Sequence, residues 1–367
     1  MKKKLFTTVF ALLLCACLLA GCGSAAAPAA PAQQEAPASE SAPAEEAAPA
    51  EEAAPVEETA PVEEAAPEAE PDRDLPVRVY TLNGTTGFGM AGLIAEAGEG
   101  KAALNYSFSV ESDPSVVTAA LVSGDCDIAA LPTNAAAALY NKTGGKVQVL
   151  ALNTRGVLYV LTDGSIEADS LEDLAGQTVY APAQNPSFIL EALCRARGVE
   201  LTIDNSYAQP AELNAAAAAG RVALAVLPEP MVTVACSQNP NLKAAIDLSA
   251  EWDKVMEPGS LVQGCVVVRR EFADAHGAEL AVFLEEYGRS VALLEEDAAS
   301  AAQKIEESGI FAKAAVAAKA IPRCNICFVT GEEMQRQLSV FLQSMFETAP
   351  QSIGGSVPGD DFYYIAG

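Results

Sequence analysis

From Pro76 onward the chain alternates short apolar runs with segments whose apolar residues recur every three or four positions. Val77-Arg78-Val79-Tyr80-Thr81-Leu82 reads as a buried strand, followed by a glycine-rich turn and a helix over Met90 to Ala97. Asn105 to Val110 alternates as a second strand, Pro114 to Leu121 is helical, and Gly124-Asp125 turns into the run Ile128 to Leu131. A helix over Thr133 to Asn141 and strands over Val147 to Leu152 and Val157 to Thr162 complete this set. After Asp163-Gly164-Ser165 the rhythm restarts. Leu171 to Gly176 is a short helix, Thr178 to Ala181 a strand, Ser187 to Arg197 a helix stopped by Gly198, Ala211 to Ala219 a helix, and Val222 to Leu227 a strand. Val262 to Arg269 then reads as a strand returning to the first set. Helical periodicity follows over Phe272 to Leu294, Ala298 to Ser308, Ala312 to Ala320 and Glu332 to Phe346, and Cys324 to Val329 reads as a strand or extended turn. This order predicts an α/β protein of two lobes, each a mostly parallel sheet flanked by helices. One lobe interrupts the other, so the chain crosses twice, near Thr162 to Ser165 and near Pro258 to Val262. Two crossings make a hinge.

The ends of the pattern change the picture. Lys2, Lys3 and Lys4 precede an apolar stretch, Leu5 to Leu19, that is too short to span a membrane and stop there. Leu19-Ala20-Gly21-Cys22 resembles the bacterial lipobox, with an ordinary signal peptide or anchor helix as the alternative. The resemblance implies that Cys22 carries a diacylglyceryl lipid, whose two chains suffice for lasting attachment to the extracytoplasmic face of the cell membrane. From Gly23 to Leu75 the sequence is Ala, Pro and Glu in repeats such as Ala-Pro-Val-Glu-Glu, a composition that buries too little surface to fold. The domain plan is thus 1–22 signal peptide, 23–75 disordered linker, 76–163 with 261–367 as lobe one, and 164–260 as lobe two.

The net charge is −27. Three lysines give the leader +3, and fourteen acids against Arg73 give the linker −13, so the lobes carry −17. A surface this acidic argues against nucleic acid and against an anionic lipid headgroup as the main partner. The single histidine, His276, sits in a surface-turn context, which argues against His-based hydrolysis and excludes zinc sites built on several imidazoles. Six cysteines lie in the lobes, scattered like small buried hydrophobes. Cys324-Asn325-Ile326-Cys327 is a C-x-x-C for which an extracellular setting permits a disulfide, but it does not open a helix, as a redox pair requires.

Four segments carry a family resemblance. Ser123-Gly124-Asp125-Cys126-Asp127-Ile128, Glu167 to Val179, Ala219-Gly220-Arg221 through Leu227-Pro228-Glu229-Pro230, and Val266 to Phe272 resemble, in order and spacing, elements of type 2 solute-binding proteins of ABC importers. The chain is most similar to the nitrate, sulfonate, taurine and thiamine-precursor branch. The resemblance implies a two-lobed periplasmic-binding-protein type II fold and a monomer without cofactor or metal. Its partners would be a small-molecule solute and an ABC permease with its ATPase. Same-fold enzymes of pyrimidine or menaquinone biosynthesis, and a lipoprotein acting as sensor or adhesion partner, are the other classes open to it. Arg221-Val222-Ala223 lacks an acid usual in the family, and the loop Pro182 to Ser187 is shorter than in relatives.

Gly87-Phe88-Gly89-Met90-Ala91-Gly92 spells G-x-G-x-x-G after a strand, but Asn83 to Thr86 intervene and remove the tight turn a dinucleotide needs. In open α/β sheets ligands lie beyond the carboxyl ends of strands, which marks four turns. They supply Asn83, Thr85, Thr86 and Phe88; Thr133 and Asn134; Asn185, Ser187 and Phe188; and Glu229 as candidate ligand-binding residues. Thr133, Asn134 and Ser187 would equally serve as helix caps. Glu229 suits an amine or aminopyrimidine, with Arg155 as the one basic residue near the cleft. The expected solute is therefore a small heterocycle such as a thiamine precursor, and a sulfonate, taurine or nitrate anion is the alternative.

Overall fold

The computed structural model describes residues 70–365. The expected leader, the expected lipidation site Cys22 and nearly all of the expected linker lie outside the described residues. Strands are β1 (Pro76–Leu82), β2 (Asn105–Glu111), β3 (Ile128–Pro132), β4 (Val147–Arg155), β5 (Leu158–Thr162), β6 (Thr178–Tyr180), β7 (Thr202–Asp204), β8 (Leu224–Pro228), β9 (Lys243–Asp247), β10 (Val262–Arg269) and β11 (Ile326–Val329). Helices are α1 (Thr85–Phe88), α2 (Ala91–Gly98), α3 (Pro114–Ser123), α4 (Thr133–Thr143), α5 (Asn185–Arg197), α6 (Pro210–Ala218), α7 (Met231–Gln238), α8 (Leu248–Asp253), α9 (Arg270–Ala275), α10 (Gly277–Glu296), α11 (Ala298–Glu307), α12 (Ala314–Ala320) and α13 (Gly331–Thr348). Among the described residues, no helix is long and apolar enough to cross a membrane.

Two sheets form, in the orders β11-β4-β10-β3-β1-β2 and β7-β6-β8-β5-β9. Parallel pairs lie within each lobe (β1 with β2 and β3, β6 with β7 and β8), and β11 is antiparallel to β4 within lobe one. Each sheet is also antiparallel where a strand arrives from the other lobe (β10 on β3 and β4, β5 on β8 and β9). The first crossing is Gly156-Val157, because β5 pairs with β8 from Leu158 opposite Pro228 to Thr162 opposite Leu224. This corrects the expected crossing at Thr162 to Ser165: a fully apolar strand does not disclose which sheet it will join. Asp163-Gly164-Ser165 is a turn inside lobe two. The second crossing, residues 254–261, leads from α8 into β10. Gly156 has to be glycine, since a Cβ there would stand 2.2 Å from Ser249 Oγ and 2.5 Å from Leu261 Cδ2.

The helix expected over Phe272 to Leu294 is two helices broken at His276, whose φ of −134° and ψ of 48° leave the helical region. β7 and β9 are three- and five-residue edge strands with mixed polarity. Neither has a periodic signal in the sequence.

One apolar cluster joins the lobes. α13 turns Met334, Leu338, Phe341, Leu342 and Met345 inward, and these pack in the same core as residues of α5 and α8. Trp252 of α8 meets Phe341 with ring centroids 6.0 Å apart. Below the sheet of lobe one, Asp127 gathers three segments. It accepts from Arg78 N (3.0 Å), Arg78 Nε (2.8 Å), Arg78 Nη2 (2.7 Å) and Arg269 Nη2 (2.9 Å). Burial alone would raise this carboxyl, but the two guanidinium groups together hold it below the ordinary carboxylate range. Asp127, part of the Ser123 to Ile128 motif, is therefore a clamp on β1, β3 and β10.

Candidate ligand cleft

The carboxyl ends of β3 and β6 face each other across the lobes and deliver the chain into α4 and α5. Asn134, in the first turn of α4, accepts on Oδ1 a hydrogen bond of 2.8 Å from Nδ2 of Asn185, the first residue of α5. Around this bridge lies a hollow of about 330 Å³, lined by Asn134 and Ala135 of lobe one and by Gln184, Asn185 and Gln209 of lobe two, with Pro and Ala residues between. None of the residues lining it is charged. α4, α5 and α6 all begin here, and none has a side chain capping its first turn. Free first-turn N–H groups and the helix dipole give such ends a positive potential. Asn185 Oδ1 is buried without a partner among the described residues. The loop before α5 is pinned by Ser187, which donates to Pro182 O (2.8 Å) and accepts from Asn205 Nδ2 (2.6 Å). That network holds Gln184 at a φ of 71°, a conformation uncommon outside glycine.

The other residues expected in the cleft are placed differently. Thr133 is buried and donates through Oγ1 to Val262 O at 2.8 Å, tying α4 to the second crossing. Phe188 is half-buried against the core of lobe two. Phe88 is fully buried and packs edge-on to Phe311 at 6.3 Å, so it is not placed to stack on a ligand. Thr85 is half-buried, Thr86 accepts on its carbonyl from Asn153 Nδ2 (3.0 Å), and Asn83 is exposed with its N–H on Glu111 O (2.8 Å). The glycines of the Gly87 to Gly92 motif face the interior. A Cβ would stand 2.0 Å from Leu82 O at Gly87, 2.8 Å from Tyr287 Oη at Gly89 and 2.6 Å from Ser290 Oγ at Gly92. They let α1 and α2 lie against β1 and α10, which accounts for the motif without a phosphate.

Glu229 is only 2% exposed and already engaged. Arg323, from the short turn ahead of β11 in lobe one, reaches across and donates through Nε to Glu229 Oε1 at 2.6 Å. Its Nη2 lies 2.5 Å from the same oxygen and 2.9 Å from Thr233 Oγ1. Thr233 closes the set, its N–H on Oε2 and its hydroxyl on Oε1, both at 3.1 Å. Tyr159 donates to Arg323 O (3.0 Å) and lies under the guanidinium at 5.9 Å. The premise that Glu229 offers a free carboxylate to a solute does not hold in this structure. The sequence marks Arg323 only by a Pro-Arg pair shortly before β11, the edge strand of the lobe-one sheet.

Arg155 ends β4 at the first crossing, away from the Asn134–Asn185 hollow. Cys324 and Cys327 are free thiols. Burial pushes the Cys327 thiol up to about 12 and raises Cys324 as well, the opposite of redox activation. Among the described residues no group of three or more His, Cys, Asp or Glu is placed to hold a metal ion.

No protein-family model matches this chain, and no curated protein matches it. Solved structures do. A crystal structure titled as an ABC transporter from Parabacteroides distasonis has a TM-score of 0.68 at 22% identity, covering 80% of this chain and 99% of that one. The periplasmic aliphatic sulphonate-binding protein of Escherichia coli follows with a TM-score of 0.61 at 14% identity over 80% of this chain and 94% of that one. The sulfonate-binding protein of a Methylobacillus flagellatus ABC transporter, so titled as putative, has 0.59 at 15% over 79% and 91%. At these identities the likeness establishes the fold. The chain has the two-lobed fold of periplasmic binding proteins.

Proposed function

We propose that the protein is the solute-binding component of an ABC importer, held outside the cell membrane by a lipid on Cys22. It acts as a monomer and catalyses no reaction. The solute enters between the lobes, the hinge at Gly156-Val157 and residues 254–261 closes, and the closed form is presented to a permease and its ATPase. The observation that carries this reading is the uncharged interlobe hollow at Asn134 and Asn185, where three helices of different lobes begin uncapped.

The same hollow supports an aminosulfonate or alkanesulfonate as the solute, the taurine type in particular. Helix N-termini bind oxyanions without a counter-charged side chain. Asn185 Oδ1, buried and unpartnered, accepts from an amine on the same molecule. The aminopyrimidine expectation rested on a free Glu229, and Arg323 occupies that carboxylate. Thermal-shift titration with taurine, ethanesulfonate, riboflavin and the aminopyrimidine precursor of thiamine tests the assignment. Taurine or ethanesulfonate is expected to raise the midpoint; stabilisation by the aminopyrimidine alone would overturn it.

A further inference from the structure

A second hollow, of about 520 Å³, lies where the chain crosses between the lobes. Arg155 and Gly156 bound it at the first crossing, Gly259 at the second, Asp253 from lobe two, and Glu333 and Gln337 from the start of α13. It shares no lining residue with the Asn134–Asn185 hollow. Two polar atoms of its lining are buried and unpartnered among the described residues: Arg155 Nε, a donor, and Gln337 Oε1, an acceptor. Gln337 is only 2% exposed, and its Nε2 already donates to Glu333 Oε1 at 2.9 Å. Turning the amide over would set oxygen against carboxylate, so the orphan acceptor is fixed by its own neighbour. Native proteins rarely leave such groups unanswered.

Gly259 lies between the two side chains that carry the orphans: a Cβ on it would be in ordinary contact with the Gln337 amide, 3.4 Å from its Nε2, and with Arg155 Nε at 3.6 Å. Its φ of 78° disfavours a side chain there. Around it the charges are mixed. Asp253 holds Gly259 N at 2.9 Å, Asp247 holds Ser249 N at 2.8 Å, Glu333 holds Gln337, and Arg336, also in the lining, is paired with Glu257, while Arg155 has no ion-pair partner among the described residues.

We propose that this hinge hollow binds a free amino acid as its zwitterion, with the carboxylate on Arg155 and the ammonium on Gln337 Oε1 beside Glu333 and Asp253. A simple anion would answer Arg155 and meet the acids; a simple cation would answer the acids and leave Arg155 empty. A molecule with both charges a few ångströms apart satisfies each orphan. The walls come from both lobes and both crossings, so the bound amino acid favours one interlobe arrangement over the others. This site is independent of the solute held at Asn134 and Asn185.

Calorimetric titration of the purified protein with each of the twenty standard amino acids tests it, with acetate and methylammonium as single-charge controls. At least one amino acid is expected to bind saturably and at least tenfold more tightly than either control. Gln337→Leu, which keeps the buried volume, and Arg155→Met are each expected to weaken that binding at least tenfold while the circular-dichroism melt confirms folding. Absence of saturable binding by any amino acid would overturn the proposal. So would binding that Gln337→Leu leaves unchanged, whether or not Arg155→Met folds.

Discussion

The lobes touch across their cleft in two chemically opposite ways. At Asn134–Asn185 the bridge is a single amide hydrogen bond in uncharged surroundings. At Glu229–Arg323 it is a buried carboxylate whose only cation within ion-pair distance, among the described residues, comes from the other lobe. A neutral hydrogen bond nets about 0.5–1.5 kcal/mol, so a solute can displace it at little cost. Breaking a buried ion pair costs about 3–5 kcal/mol. The first contact is suited to being exchanged for ligand, the second to holding the lobes in register. Polar character alone would not separate the two roles. What separates them is whether opening strands a charge.

The comparison can be broken most forcefully at its apolar backing. Phe341→Ala removes the ring that α13 places against Trp252 of lobe two and is expected to cost about 3–5 kcal/mol in urea unfolding. A loss below about 1 kcal/mol would mean that α13 does not join the lobes. Next comes the ion pair itself. Arg323→Met should destabilise by about 2–3 kcal/mol, less than a fully buried pair because the Arg323 side chain is 42% exposed. The double variant Glu229→Gln with Arg323→Met should regain most of that loss. Failure to regain it would show that packing on Tyr159, and not charge, is what Arg323 supplies.

Asp127 sharpens the contrast, because its ion pairs lie within one lobe. Its folded-state pKa is depressed, so its contribution is present above the unfolded value of about 3.9 and is lost as pH falls through the folded value. Asp127→Asn should therefore lower stability at pH 7 by about 1–3 kcal/mol and flatten the decline between pH 5 and pH 2. An unchanged acid limb would contradict the clamp. The smallest effect concerns Cys327. With its thiol pushed up to about 12 by burial, labelling by a thiol reagent at pH 8 should be much slower than for free cysteine. Equal rates would contradict its burial.

Much of this organisation was legible in the sequence, and the failures have physical causes. The βα order, the two lobes and the turns at Asn134 and Asn185 follow from periodicity and punctuation. The first crossing was misplaced because β5 is nearly all apolar and follows β4 after only two residues, and only pairing decides the sheet. Phe88 and the glycines near it mimic a ligand loop since close helix packing and close ligand approach both demand glycine. Glu229 was correctly read as sitting past a strand of lobe two. Its neutralisation by Arg323, 94 positions later, is a tertiary fact. Gln337 was within reach, because it is a polar residue on the apolar stripe of α13 set by Met334, Leu338 and Phe341.

Hydrogen exchange at single-amide resolution tests the central claim most directly, because the ligand is held to sit on first-turn N–H groups of both lobes. With saturating taurine, the account predicts added protection at the amides of residues 133–135 of lobe one and of Asn185, Ser187 and Ala211 of lobe two. Protection confined to one lobe, or no change at these helix starts, would contradict it.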